Sequence, residues 1–438
     1  MKIAVIGSGI SGMGAALALS DHHDVTLLER DNRFGGHAHT VTATVKGREI
    51  PVDTGFIVYN DDNYPNLVSL FDHLDVPVKA SDMSFAMSVK GGRMEYGCDN
   101  YDQLFAQRRN LLNPFYVNGM REILRWNKEA PVALASGAVE GMSLQQFLDE
   151  RKFSRWFREC FLLPFAGAIW STPTGDILRF PAANLIHFFR NHELTNGMNP
   201  QKKWRTVDGG SREYVTRLLR KLGPRAICGI GVEEISRTGG QPTLTFSDGS
   251  KQTFDQVIIA THGPQARGLL TDMDAQEREI LGAFNTSQNH VVLHSDPSLM
   301  PQRRKIWASW NFLSGGGAVD AAAPAPITYW MNRLQGIDRD YPLFVSLNPG
   351  RLPDPALIHG TYSYAHPMFD QRAFEAQGEI DMIQGRGGVW YAGAWLGYGF
   401  HEDGLTAALR VCAALGTVPD WARDLRTPIA TPLARAAE

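Results

Sequence analysis

The chain has 438 residues, of which 43 % are apolar and 20 % charged, with a formal net charge of −3. That length allows two or three domain-sized units that can interleave, and the balance excludes a disordered chain or one drawn to nucleic acid by its overall charge. Four cysteines, Cys98, Cys160, Cys228 and Cys412, form no C-x-x-C pair, a pattern of reduced thiols in the cytoplasm rather than of structural zinc. No signal segment precedes the first predicted strand, and no apolar run approaches the ~18 residues of a membrane span, so a cytoplasmic protein is expected.

Lys2 to Ile6 read as a short buried strand, because Ile3, Ala4, Val5 and Ile6 run without a polar break. Gly7, Gly9 and Gly12 follow in G-x-G-x-x-G spacing. The first permits a tight turn, the second lets a pyrophosphate approach the backbone, and the third lets the next helix pack on the strand. That helix, Ser11 to Ser20, turns its N-terminal N–H groups and positive dipole end toward the phosphate. Val25 to Leu28 form a second strand ending in Glu29, placed to bond the ribose hydroxyls of an adenosine. Strand, glycines, helix, strand and acid in this order predict an adenine dinucleotide site.

Arg30 and Arg33 precede Gly35-Gly36-His37; paired glycines suit close backbone approach and arginine suits phosphate. Thr40 to Val45 and Glu49 to Val52 read as a hairpin closed by Asp53-Thr54-Gly55-Phe56. With these residues in place the sequence resembles the FAD-binding front end of the flavin amine oxidase and phytoene desaturase superfamily. More narrowly, GGHAHTV, DTGFIVYN, NYPNL and SDMSF resemble a bacterial group of NAD/FAD-binding proteins and the flavoprotein-like domain fused to plant cyclopropane fatty acid synthases. The resemblance runs from Met1 to about Leu415.

Asn66 to Leu74 read as an amphipathic helix, Ser84 to Val89 and Arg93 to Tyr96 as strands. Tyr101 to Glu150 are helical in pattern with predicted breaks at Pro114 and Pro131, and Ser143 is a good N-cap. In Arg151 to Pro173, basic and aromatic residues mix. This is either a helix resting on phospholipid or an ordinary helix with a wet basic face and a buried aromatic one, and Asp149, Glu150 and Glu159 favour the second. Gly167 to Thr174 and His187-Phe188-Phe189 suit either a cavity wall or core.

Ser211 to Leu222 form a predicted helix, Ala226 to Ile235 a strand, Thr243 to Phe254 a hairpin, and Asp255 to Ala260 a buried strand. The resemblance makes Val232 the adenine contact. Gly229-Ile230-Gly231 lacks the preceding strand and acid of a second nucleotide motif, so no separate nicotinamide domain is predicted. Ser287 to Ser295, Pro326 to Arg333 and Leu343 to Leu347 read as antiparallel strands in an aromatic region that suits an apolar pocket or a plain core, with His366 a candidate polar group. Finally Val389 to Ala392 form a strand, Gly393 turns it, and Leu405 to Leu415 form a helix.

The resemblance implies an α/β fold: a Rossmann-type FAD-binding domain (glutathione reductase-like, amine oxidase subgroup) from residues 1–80, 205–285 and 385–420. It would interleave with an α+β substrate domain built on an antiparallel sheet, 81–204 and 286–384, and end in a loose tail, 421–438. The implied cofactor contacts are Gly7, Gly9, Ser11, Gly12, Glu29, Arg30, Arg33, Gly35, Gly36, His37, Gly55, Phe56, Val232, Gly393, Gly399, Phe400 and His401, holding FAD non-covalently. The acid often found just after Gly393 in the superfamily is Ala394 here. His401 and Tyr398 are the acid–base candidates beside the flavin ring, and no metal cluster is read. Three activities are compatible: an oxidoreductase on unsaturated, methylated or cyclopropane-modified fatty acyl chains, an amine oxidase, or a non-catalytic flavoprotein partner of a lipid methyltransferase. A lipid substrate carries with it expected peripheral contact with the inner face of the membrane.

Overall fold

Ile3, Ala4 and Val5 have no exposed surface, as expected of a strand covered on both faces. In the computed structural model, which describes residues 1–194, 203–314, 325–423 and 425, strand β1 (Lys2–Ile6) lies at the centre of a five-stranded parallel sheet. Its neighbours are β2 (Asp24–Glu29) on one side and Gln256–Ile259 on the other. Ala226–Cys228 and Val389–Tyr391 form the edges. Helix α1 (Ile10–Leu19) is buried along its whole length. It packs so closely on helix His401–Ala414 that a Cβ at Gly14 would lie 2.4 Å from Leu405 Cδ1.

A second, seven-stranded sheet runs in the order Ile358–Met368, Asn285–His294, Phe344–Leu347, Ile327–Trp330, Trp310–Leu313, Phe85–Val89, Met94–Gly97. Every pair is antiparallel except Trp310–Leu313 with Phe85–Val89. A helical layer covers it, with Trp126, Phe147, Phe153, Phe157 and Phe189 in one buried cluster. The fold is thus a mixed α/β one, a parallel sheet joined to a separate, largely antiparallel sheet.

Four expectations change. Ala226 to Ile235 is not one strand: Ala226–Cys228 belongs to the parallel sheet, and Val232–Ser236 opens an antiparallel one with Thr243–Phe246. The chain bends at Gly229, where φ is +79°. Pro114 starts a helix instead of breaking one, with the Asn113 side chain accepting from Phe115 N at 3.1 Å. Pro131 stays inside that helix, Pro114–Ala135, at the loss of the N–H that would otherwise bond the Asn127 carbonyl. The last helix begins at His401 rather than Leu405, because Asp403 accepts the Phe400 N–H at 2.8 Å and two acids in the first turn offset the dipole.

The Arg151–Pro173 segment is the ordinary helix of the two readings. Phe153, Phe157 and Phe161 are buried, while Arg155 pairs with Glu159 and Arg158 with Asp149. At the C-terminus, Trp421 packs on the His73 ring and Arg423 N–H donates to Asn66 Oδ1. Ala422 and Leu425 also pack against the core, so the start of the expected loose tail is held; residues 424 and 426–438 lie outside the described residues.

Candidate functional site

One cavity of about 1510 Å³ runs from the end of β1 into the space between the second sheet and the helical layer. It exceeds the roughly 300–1,000 Å³ of a pocket for one drug-sized ligand. Of the expected cofactor residues, all but Gly12 and Gly35 line it: Gly7, Gly9, Ser11, Glu29, Arg30, Arg33, Gly36, His37, Gly55, Phe56, Val232, Gly393, Gly399, Phe400 and His401. Gly12 and Gly35 act behind the wall. A Cβ at Gly12 would fall 1.8 Å from Gly7 O, whereas one at Gly9 would meet no atom within 4 Å and would point into open space. The turn is therefore closed on its inner side and bare on its outer side.

Electrostatics at this end suit a polyanion. The first turn of α1 has no side-chain cap and no acid, so its N–H groups and dipole remain available. Arg33 donates one N–H to Gly36 O at 2.9 Å, while its buried Nη1 has no partner. A buried guanidinium nitrogen without an acceptor is costly, and a phosphate oxygen would satisfy it. Glu29 accepts from Ser8 N at 2.9 Å, Ser8 Oγ at 2.6 Å and Asp31 N at 2.9 Å, which fixes its carboxylate at the cavity edge.

At the middle of the cavity stand His401 and Tyr398. His401 is half-buried, stacks on Phe56 at 3.8 Å between centroids, and shares a hydrogen bond of 3.2 Å with Tyr214 Oη. Burial pulls its pKa down to about 3 and pushes the Tyr398 phenol well above its usual range. Both groups are held neutral near pH 7. Sequence reading missed a cluster beside them. His37 lies 5.6 Å from His262, 5.3 Å from His366 and 5.3 Å from Tyr364 by ring centroids, and its buried Nε2 is unpartnered. His39 Nδ1 and Thr54 Oγ1 both meet Tyr364 Oη, at 2.7 and 2.6 Å. His262 and Tyr364 carry no local signal. They arrive through the pairing of β1 with Gln256–Ile259 and of Asn285–His294 with Ile358–Met368.

Burial lowers the pKa of His37, His39, His262, His366 and His401, to about 4 for His39 and His366. The unfolded chain protonates such groups near pH 6.5 and the folded one does not. Stability is therefore expected to fall as pH drops from about 6.5 toward 4. Burial raises Asp403, to about 7, Glu402 and Asp53, which act in the opposite direction but are outnumbered. Urea midpoints across that range should show a His366→Gln variant losing about one proton's worth of slope; an unaltered slope would refute the buried neutral imidazole.

Beyond the histidines the wall turns apolar: Phe85, Leu104, Phe105, Met120, Ile123, Leu124, Phe161, Phe165 and Ile169. Asp82 and Asp99, on the same arm, are both tied to Arg333, at 2.8 Å each. Cys98 also faces the cavity, but burial pushes its thiol up to about 12, so it stays protonated.

An anion-seeking crevice that continues into an apolar chamber is a layout that suits a flavin-dependent oxidoreductase. The chain belongs to the flavin containing amine oxidoreductase family, whose family model matches residues 10–308. No curated protein sequence matches it. Among solved structures it is similar to a CLA-producing fatty acid isomerase from P. acnes, with TM-score 0.66 and 16 % identity over 94 % of this chain and 98 % of that one. It is also similar to putrescine oxidase bound to putrescine, with TM-score 0.69 and 15 % identity over 94 % and 98 %. Cyclohexylamine oxidase from Brevibacterium oxydans IH-35A gives TM-score 0.67 and 16 % identity over 95 % and 99 %.

Proposed function

We propose that this protein holds FAD without a covalent link and oxidises or desaturates an apolar substrate, an unsaturated, methylated or cyclopropane-modified fatty acyl chain. The observation that carries this reading is the single cavity whose nucleotide end continues into an arm walled by phenylalanine, leucine, isoleucine and methionine. Residues 1–80, 205–285 and 385–420 would form the FAD unit and 81–204 with 286–384 the substrate unit. When bound, FAD supplies a two-electron acceptor for hydride, later discharged to oxygen or another acceptor.

The chain's own residues bind and orient. The α1 N-terminus and Arg33 hold the pyrophosphate, Glu29 the ribose, and Val232 the adenine. The backbone at Gly399, Phe400 and His401 would meet the ring, at the start of helix His401–Ala414. Neutral His37, His262 and His366 offer hydrogen bonds without an ion beside the acyl chain, and the apolar arm excludes water. The fatty acid isomerase among similar folds and the resemblance to the domain fused to cyclopropane synthases support the same substrate class.

Membership of the amine oxidoreductase family favours a second reading, oxidation of an amine. Against it, no lysine is among the described residues lining the cavity. A third is a flavoprotein that serves a lipid methyltransferase without catalysis. Anaerobic incubation of the purified protein separates them. Loss of flavin absorbance with modified phospholipid supports the first, loss with amines overturns it for the second, and no loss with either leaves the third. Glu29→Ala is expected to weaken FAD binding by about 1–3 kcal/mol through lost ribose hydrogen bonds, and fluorescence titration with unchanged affinity would remove Glu29 from the site.

A further inference from the structure

The large apolar side chains that the described residues leave exposed are not evenly spread. Tyr101 (73 % exposed), Leu111, Leu112 (89 %), Phe115 (75 %), Leu124 and Val132 all fall within residues 101–132, while the others are scattered along the chain. The reason lies in the pattern of helix Pro114–Ala135. Its inner face buries Tyr116, Gly119, Glu122, Trp126 and Ala130. Its outer face exposes Phe115, Asn118, Arg121, Leu124, Lys128 and Val132, at spacings of three and four residues. That stripe sets Arg121 and Lys128 among Phe115, Leu124 and Val132, with the half-exposed Glu129 the acid on its flank. The turn before it, Arg108–Leu112, exposes Arg108, Arg109, Leu111 and Leu112. The nearby acid Asp102 is already neutralised by Arg108 and Lys305. A basic, apolar face on a chain of net charge −3 is a local feature rather than a reflection of overall charge.

A second observation says where this face leads. Met120, Ile123, Leu124 and Asn127, on the flank of the same helix, line the cavity, and so do Tyr101, Leu104 and Phe105. The mostly exposed Tyr101 and Leu124 belong to both surfaces, so the apolar arm of the cavity opens at this face. Clustered arginine and lysine among exposed leucine and phenylalanine match an anionic phospholipid surface, where the cations meet headgroups and the apolar groups enter the acyl boundary.

We propose that the face built from Tyr101, the Arg108–Leu112 turn and the outer stripe of Pro114–Ala135 docks on an anionic phospholipid bilayer and presents the mouth of the cavity to it. The route from bilayer to flavin rests on the acyl-chain reading above; the docking itself does not. This face is distinct from the Arg151–Pro173 segment, whose Phe153, Phe157, Phe161 and Trp170 are buried.

Flotation of the full-length, flavin-loaded protein with vesicles tests it. The protein is expected to float with phosphatidylglycerol-containing vesicles and about tenfold less with pure phosphatidylcholine, and to detach as salt rises. Leu112→Ser with Phe115→Ser, and separately Arg121→Glu with Lys128→Glu, should each cut binding by about tenfold with circular dichroism and flavin content unchanged. None of these four residues lines the cavity. Wild-type protein that stays with neither vesicle overturns the proposal, as does a double variant that floats equally well. A dimer that the Leu112/Phe115 variant dissociates, with no vesicle binding by the wild type, would give the face to a second copy instead. Vesicle binding without bleaching by any lipid would refute the acyl-chain reading and leave the docking standing; bleaching by micellar lipid without vesicle binding would do the reverse.

Discussion

Gly9→Val is expected to yield a folded, colourless protein. Gly9 has φ −67° and ψ −179°, a conformation open to any residue, and its Cβ direction is empty. The fold therefore loses little, on the order of 1 kcal/mol for a poor residue at the N-cap of α1. The side chain would instead occupy the place where a pyrophosphate must touch the backbone. A loss of affinity on the order of 10³-fold, about 4 kcal/mol, is expected. The flavin-to-protein absorbance ratio after gel filtration measures it, alongside circular dichroism. Gly12→Ala provides the contrast: with 1.8 Å to Gly7 O there is no room for the methyl group, and soluble protein itself should be lost. A yellow Gly9→Val protein would move the nucleotide away from this turn.

Arg237→Met should give a folded protein with a large, measurable loss of stability. Arg237 donates to Glu277 Oε2 at 2.9 Å and to Asp272 Oδ1 at 2.8 Å, and the Glu277 side chain is 1 % exposed. Methionine keeps the stem and removes the charge, leaving a buried carboxylate with one remaining backbone donor, Asp274 N. Breaking a buried pair from one side costs about 3–5 kcal/mol, and most of that should return when Glu277 is made apolar as well. Urea midpoints of the two single variants and the double variant test this. Strictly additive losses would show that the pair is not coupled. The pair matters to the site because it ties the Val232–Ser236 strand, whose first residue faces the nucleotide end, to helix Ala275–Gly282.

How much of this was legible depends on how local the determining contacts are. Ser143 is a cap in fact, with Gln146 closing the box, because the bonds span three residues. The hairpin Thr40–Val45 with Arg48–Asp53 follows from alternation and a Lys46-Gly47 turn. The errors are where a longer-range contact overrides the local rule. Ala226 to Ile235 looks continuous until two different sheets claim its halves. The last helix reads from the sequence as starting at Leu405 after a glycine-rich entry, yet Glu402 already lies in it and accepts the N–H groups of Asn66 and Leu67 at 2.9 Å each, so capping helix Pro65–His73 from across the fold.

By itself, then, the sequence determined the nucleotide end. The Gly7–Gly12 turn, the acid after β2 and the helix behind them are set by steric limits and periodicity within thirty residues. Tertiary structure alone decided what stands opposite. The meeting of His37 with His262 and His366, the apolar arm, and the basic stripe at its mouth depend on strand register and helix rotation between segments hundreds of residues apart. Such contacts arise from packing the whole core, and a side chain's own neighbours in the chain carry no trace of them.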